Sequence, residues 1–555
     1  MFRFLVLAAA LLCGARALDN GLARTPQMGY NSWYDLMGAL TEANIKDTTD
    51  AMVESGLYAL GYNYLNLDDD WATTRDSAGR LVADPTKWTN GSLATVAEYV
   101  HGKGMLFGTY TDRGTLTCGG RPAAQGHEAV DAQTYADWGV DYLKEDSCHA
   151  PGDHATAFAQ YGAMRDALNA TGRPILFSLC GWNDWYARPD PALNYTGGGS
   201  LGNSFRIGPD DTNWGGVLKN IDINAGLSEF AGPGGWNDPC LLLSTTYTGQ
   251  LRVTERQSRA QFSMWAVMAS PLLISGNVRN MSAYTLETYK NKEVIAVSQD
   301  ALGRQGVRVV GGALSAPAGG GNTPAHTTAA ACTAAGQPGQ SGKWAFGSGA
   351  EAGYLINAAT GKALNSDNCG QSLIYYAPVT SGGTCVGASG KQYDNLRFRL
   401  NGTALVSAMN GMCVTERASV SGQLLLEPCA DGAAAQQWTL SAGGALKSAA
   451  SGRCLDGAAA AAQSATNVWA RPLASGAAAA VFLNNAATDV AIPCDFACFT
   501  AMGFKAGQKL AVRDLWAHAA LPSQLTVGAT MAPFVPSATG TAEGGATMFT
   551  FTSVA

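Results

Sequence analysis

The feature that most restricts how this chain can fold is a repeated alternation. From residue 18 to about 303, short apolar strands recur with helical stretches between them. Candidate strands are 28–33, 64–67, 105–110, 142–144, 175–178, 204–207, 229–231 and 272–274, and helical patterns include 41–60, 154–170 and 255–269. Eight β–α units in this length predict a (β/α)8 TIM barrel. The competing doubly wound sheet needs a glycine-rich phosphate turn after its first strand, and Gly29-Tyr30-Asn31-Ser32-Trp33 is not one.

After Gln299-Asp300 the character changes. Residues 313–342 are Gly, Ala, Thr, Pro and Ser with almost no charge, a linker or loop composition. From Trp344 onward only short strands and turns are predicted, so the second half reads as all-β.

A net charge of −7, with no long basic tract, argues against a nucleic-acid or anionic-membrane partner. Met1-Phe2-Arg3, an apolar run over 4–13 and Ala15-Arg16-Ala17 predict a secretory signal peptide over 1–17. The run is too short to span a bilayer. The expected location is therefore secreted, extracellular or the lumen of an endomembrane or vacuolar compartment. Cys13 lies in that leader, and the other 12 of the 13 cysteines invite pairing in an oxidising compartment. Five sequons, at Asn90, Asn169, Asn194, Asn280 and Asn401, are consistent with the same route.

In a TIM barrel the C-terminal strand ends build the active site. Here they carry Trp33, Asp68-Asp69, Tyr110 with Asp112, Lys144 with Asp146, and Arg206 with Asp210. There is no HExxH, no paired-His spacing and no GxSxG, so neither a metal nor a cofactor is expected. Carboxylates beside aromatic platforms suggest glycoside chemistry: carboxylates grip hydroxyls, and Trp or Tyr faces a sugar's C–H surface. Taken singly, each Asp could be a helix N-cap. Four strand ends of one barrel taken together favour the functional reading.

Four motifs then carry a family resemblance: Met28-Gly29-Tyr30-Asn31-Ser32-Trp33, Leu67-Asp68-Asp69-Asp70-Trp71, Tyr142-Leu143-Lys144-Glu145-Asp146-Ser147-Cys148 and Gly232-Pro233-Gly234-Gly235-Trp236-Asn237-Asp238-Pro239. In this order they resemble glycoside hydrolase family 27, the α-galactosidases and α-N-acetylgalactosaminidases. The likeness resumes at Val468-Trp469-Ala470-Arg471-Pro472-Leu473 and Asp514-Leu515-Trp516-Ala517-His518, which look like the family's C-terminal antiparallel β-sandwich. The resemblance implies a retaining double displacement, with Asp146 as nucleophile and Asp210 as acid/base; Asp211 is the lesser candidate for the acid. It implies a sugar pocket of Trp33, Asp68, Asp69, Tyr110, Cys118, Lys144, Trp182 and Arg206, in which Lys144 keeps Asp146 ionised by proximity.

Three departures stand out. Asp70 occupies a position where the family often has a disulfide cysteine, and 37–38 lacks its partner. Cys180-Gly181-Trp182 replaces the usual Cys-Glu-Trp, which leaves selectivity at the sugar 2-position open. The span from Asp210-Asp211 to Trp214 is one residue short.

Within the second half, Gln436-Gln437-Trp438 is a Q-x-W triplet, and Gly411-Met412-Cys413 precedes Gly452-Arg453-Cys454 by 41 positions. A period near 40 marks a repeat, and it resembles the ricin-type β-trefoil lectin. The third repeat is split, opened by Cys454 and closed by Cys332 and Trp344 from the far end. The expected division is 18–303 barrel, 315–466 trefoil-like insertion, and 304–314 with 467–555 sandwich. Only Asp456 keeps the Cys-Leu-Asp form; Thr415 and Asn365 stand at the matching positions, so a second sugar at this module stays open.

The family pattern implies Cys118–Cys148 and Cys494–Cys498, and the trefoil spacing implies Cys369–Cys385 and Cys413–Cys429. The complementary halves of the split repeat predict Cys332–Cys454. Cys180 and Cys240 are paired because two leftover thiols beside a sugar site would be liabilities. The implied substrate is a terminal α-galactosyl residue on an oligosaccharide, polysaccharide or glycoconjugate, with α-N-acetylgalactosaminide or β-L-arabinopyranoside as alternatives. A barrel that only binds carbohydrate is the non-enzyme alternative; Lys144, Asp146, Arg206 and Asp210 argue against it.

Overall fold

A computed structural model describes residues 20–151, 154–181, 198–225, 227–312, 314, 323–328, 331–332, 342–366, 374–378, 394–417, 423–427, 429–457, 464–537 and 545–554. The expected leader, Trp182, Asn194 and the Cys369–Cys385 pair lie outside these residues.

The first half is a closed parallel barrel of nine hydrogen-bonded segments: β1 (Met28–Asn31), β2 (Tyr64–Asn66), β3 (Leu106–Asp112), β4 (Tyr142–Asp146), β5 (Leu176–Leu179), β6 (Ser204–Arg206), β7 (Trp236–Asp238), β8 (Leu242–Leu243) and β9 (Leu272–Ser275). β7 pairs with β6, β8 with β9, and β9 with β1. β7 and β8 are thus two halves of one barrel strand, bent at Pro239-Cys240-Leu241, where Cys240 has φ +93°. The strand expected at 229–231 is a correction: Ser228–Phe230 forms one 3-10 turn, and the real strand starts at Trp236. A Gly-Pro-Gly-Gly breaker ends the earlier stretch. The buried polar Asn237 and Asp238 hid the later one from a search for apolar runs.

Between the strands run α1 (Glu42–Glu54), α2 (Ala94–Gly102), α3 (Glu128–Asp137), α4 (His154–Ala170), α5 (Trp214–Asn224), α6 (Glu255–Val267), α7 (Ala283–Tyr289) and α8 (Lys292–Ser298). Thr41 and Asn44 form a capping box that starts α1. The helix stops short of the expected residue 60 because Ser55-Gly56 takes a left-handed turn, with Gly56 at φ +82°. Gly108 on β3 is forced: a Cβ there would meet Asn66 Oδ1 at 2.0 Å.

The sandwich's main sheet runs antiparallel in the order Val307–Val310, Thr466–Pro472, Ala478–Asn484, Ala546–Ser553 and Lys509–Asp514. Strand alternation divides two cores. Val468, Ala470, Ala480 and Phe482 face the sandwich interior, while Trp469, Ala479, Val481 and Leu483 join the barrel's core. Buried Arg471 donates to the carbonyls of Ala266, Val297 and Ser298, fastening the sandwich to the barrel.

The insertion repeats one hydrogen-bond scheme. Trp438 Nε1 donates to Val414 O at 2.8 Å, and Trp344 Nε1 donates to Leu455 O at 3.0 Å. Each acceptor follows a cysteine, Cys413 or Cys454. Asn395 Nδ2 donates to Asn365 Oδ1 in the first repeat, as Gln436 Nε2 donates to Thr415 Oγ1 in the second. Trp344, Leu364, Phe398, Val414, Trp438 and Leu455 fill one shared core. Trp344 therefore completes the repeat that Cys454 opens, and Cys332 is disulfide-bonded to Cys454 across 122 positions. On the strand Gln423–Glu427, Leu424 and Leu426 point into this core, while Leu425 packs on the barrel's Ile207, Ile223 and Leu227.

Candidate active site

β1 to β4 deliver their polar ends to one floor. Asn31 Nδ2 and Lys144 Nζ both donate to Asp68 Oδ2, at 2.8 and 2.7 Å. Ser32 Oγ accepts from Asp68 N. Asp69 accepts from the Gly119 and Asp70 amides, which aims its carboxylate along the same rim. Neither Asp68 nor Asp69 is a helix cap. The Lys144 ammonium also lies 5.0 Å from the centre of the Tyr110 ring.

Asp146 closes β4 in register with Asp112 on β3. Tyr110 OH donates to Asp146 Oδ2 at 3.1 Å. Cys118 and Cys148 are disulfide-bonded beside it. Asp112, Cys118, Asp146 and Cys148 bring potential ligand atoms within 4.8 Å of one another, but the sulfurs are spent on the bridge and only two carboxylates remain as donors. Asp112 accepts from the Gly114 and Cys148 amides; burial and then the Asp146 charge push it up to about 8.

On the opposite side, Arg206 at the end of β6 is buried and donates from Nη2 to Asp210 Oδ1 at 2.9 Å. The Asp210 side chain is 37% exposed. Asp211 is fully buried and accepts from Gln261 Nε2 at 3.0 Å. Of the two, Asp210 is the one a substrate can reach. Trp33 opens a helical turn at the mouth and is half-buried against the core.

Electrostatics order these groups. Burial raises Asp146 above the carboxylate range; Lys144 opposes this without overcoming it, and Asp210 adds to it. Lys144 thus favours the ionised form of Asp146, while desolvation outweighs the ammonium. Burial would raise Asp210 too, but the charges of Arg206 and Lys144 leave it below the usual range. Tyr110 is held far above 10 by burial and by four surrounding carboxylates, so it stays a proton donor.

The predicted Cys180–Cys240 bridge is not formed; both are free, buried thiols. Each is turned to another partner: Arg206 Nη1 lies 3.4 Å from Cys180 Sγ, and Tyr34 OH 3.7 Å from Cys240 Sγ. Burial raises both thiols well above their ordinary range, so they are inert rather than liabilities. Cys413–Cys429 and Cys494–Cys498 are bonded. Asn31, Ser32, Tyr34 and Asp238 belong to the site and were not singled out as site residues. The first two and Asp238 sit inside the quoted motifs at strand ends, a position that by itself could have marked them. Asp70, in place of the absent cysteine, pairs with Arg121 at 3.0 Å.

Known proteins resemble this chain over its barrel, its insertion and its sandwich. The family described as Alpha galactosidase A matches residues 27–300, the Alpha galactosidase C-terminal beta sandwich domain matches 463–538, and the Ricin-type beta-trefoil lectin domain matches 351–480. Alpha-galactosidase 3 of Arabidopsis thaliana is 47% identical over 299 residues, covering 53% of this chain and 65% of that protein. Alpha-galactosidase of Oryza sativa subsp. japonica is 43% identical over 297 residues, covering 53% of this chain and 68% of its own length. The solved structure of α-galactosidase from Saccharomyces cerevisiae with raffinose superposes with a TM-score of 0.62 at 22% identity, covering 96% of this chain and 99% of that one. With that fold and those relatives, the chain belongs to the α-galactosidase A (melibiase) family.

Proposed function

We propose that this protein is a retaining exo-glycosidase that hydrolyses terminal α-D-galactosyl residues. The observation that carries the reading is the placement of two carboxyls, Asp146 at the end of β4 and Asp210 just past β6, at the same end of one barrel, with Lys144 acting on both. A relative solved with raffinose, a galactoside, supports the substrate class.

In this mechanism Asp68, Asp69 and Lys144 hold sugar hydroxyls. The Asp146 carboxylate attacks the anomeric carbon as the C–O bond to the leaving group breaks, and Asp210 gives its proton to the departing oxygen. Asp210 then takes a proton from water; the water oxygen bonds to the anomeric carbon and Asp146 departs. In the empty pocket the two carboxyls are ordered against these roles, Asp146 raised and Asp210 lowered. A sugar hydroxyl that draws Arg206 away from Asp210 would remove the main charge holding Asp210 low. The test is a panel of p-nitrophenyl glycosides, with NMR of the first-formed anomer. β-Galactose released from an α-galactoside would overturn retention.

A second reading, α-N-acetylgalactosaminidase, is favoured by one feature: Gly181, buried just past β5, stands where the family resemblance places a glutamate beside the sugar 2-position. The same panel separates the two. For the trefoil we propose one sugar site, in the repeat of Asp456. That repeat is the one that keeps the Cys454-Leu455-Asp456 form. Loss of retention on immobilised galactose by Asp456→Ala would support it; unchanged retention would exclude it. A secreted or lumenal location is supported by four disulfides and by the exposure of Asn90, Asn169, Asn280 and Asn401. Among the described residues no helix is long and apolar enough to cross a membrane. Tryptic mapping of the mature N-terminus and glycans tests that location.

A further inference from the structure

β8 runs straight into a tight hairpin over 244–252. Thr245 and Leu251 face each other, Thr246 N donates to Gln250 O at 2.9 Å, and Gly249 turns the tip at φ +83°. Because β8 is parallel to β9, the hairpin stands at the same end of the barrel as the catalytic carboxyls. Its Tyr247 and Leu251 are 47% and 58% exposed, and Met37, from the loop after β1, is 44% exposed. Large apolar side chains left in water at the rim of a pocket mark a surface that something covers.

The patch is joined to the reacting end of the site through Tyr34. Arg252 of the hairpin lies over the Tyr34 ring at 5.6 Å and reaches the Met37 sulfur at 4.0 Å. The Tyr34 hydroxyl, at the other end of the same ring, sits beside Cys240 and in the field of Asp210 and Asp211. The hairpin is also tied down. Asn277 N donates to Thr245 O at 2.8 Å at its base, and Gly249 N donates to Thr246 O at 2.9 Å at its tip. This is a preformed platform, and preformed surface binds without an ordering cost.

We propose that Tyr247, with Leu251 and Met37, forms the subsite for the leaving sugar of an oligosaccharide galactoside. The inference rests on the glycosidase reading above. The galactosyl unit fills the floor around Asp68, Lys144 and Asp146, so the bond to be broken lies at Asp210. The next sugar must emerge on that side, past Tyr34. A pyranose ring has an apolar C–H face and a hydroxyl rim. The patch matches this with one aromatic ring and two aliphatic side chains, interleaved with Thr246, Thr248 and Gln250. A lipid tail would call for a continuous apolar surface without these polar positions.

The test compares two substrates in the full-length protein: an α-galactosyl trisaccharide, and α-galactosyl fluoride, which has no leaving sugar. The readout is the ratio of their kcat/KM values. In Tyr247→Ala the ratio should fall about tenfold, through KM for the trisaccharide, and Tyr247→Phe, which keeps the ring, should restore it. Phe534→Ala, which removes a still more exposed aromatic on the sandwich, should leave the ratio alone. An unchanged ratio in Tyr247→Ala overturns the inference, as does a loss seen only with a lipid-linked galactoside. If the unaltered protein fails to turn over α-galactosyl fluoride, the glycosidase reading falls and takes the subsite with it. Turnover of the fluoride with an unchanged ratio removes the subsite alone.

Discussion

Lys144 on β4 and Asp68, just past β2, form an ion pair of 2.7 Å across the intervening strand β3, and the same ammonium is the cation that draws the Asp146 carboxyl down. One side chain thus serves two acids, one that would hold sugar and one that would attack it. Replacing Lys144 by Met removes the largest influence that favours an ionised Asp146 over its burial. The acid limb of kcat/KM, which requires that carboxylate, should move to higher pH by about one unit. Lys144→Arg should hold the limb near its original place. A pH–rate profile that does not move in Lys144→Met would separate Lys144 from the nucleophile.

Asp146→Asn should reduce turnover by about 10⁴-fold, because the amide cannot form the covalent intermediate. Asp210→Asn should lose about 10²–10⁴-fold, and much less on aryl galactosides whose leaving groups need no proton. Asp211→Asn should lose stability more than turnover, since its carboxylate is buried on Gln261. Steady-state kinetics beside thermal unfolding distinguish the three.

Arg206 sets a second pH signature. Its 2.9 Å contact helps keep Asp210 low in the empty site. The alkaline limb of kcat/KM, which reports free protein, should therefore lie at lower pH than the alkaline limb of kcat, which reports the complex with sugar bound. Coincident limbs would mean that substrate leaves the Arg206–Asp210 contact intact.

The Cys332–Cys454 bridge closes the trefoil on itself. Chain entropy rates a loop of that size at about 4–5 kcal/mol, an upper figure. Cys454→Ser should lower the unfolding midpoint of the insertion by denaturant titration, with little change in galactoside turnover, because Asp146 and Asp210 are fixed by barrel strands.

Much of this was legible in the sequence because it lies in local patterns. Strand-end carboxylates announce themselves by position, so Asp68, Asp146 and Asp210 could be read directly. Trp344 could be assigned to the far repeat because its half-motif had no other partner. What escaped was decided by tertiary neighbours. The strand at Trp236–Asp238 carries polar side chains that are buried only because a barrel encloses them. Cys180 and Cys240 stayed apart because Arg206 and Tyr34 occupy their sulfurs, which spacing cannot reveal. The net charge state of Asp146 depended on how completely the fold excludes water, and no motif encodes that.

The trefoil sits between two sandwich strands that pair with each other, Val307–Val310 and Thr466–Pro472. The first of these leaves the ribosome about 155 residues ahead of its partner. At roughly 5–20 residues per second, its apolar edge waits on the order of ten to thirty seconds, while the finished barrel is already beside it. During synthesis the module in between acts as a timer. Until it is complete, Val309 and Val310 are an open strand edge, and the nascent chain is most exposed to mispairing in that interval.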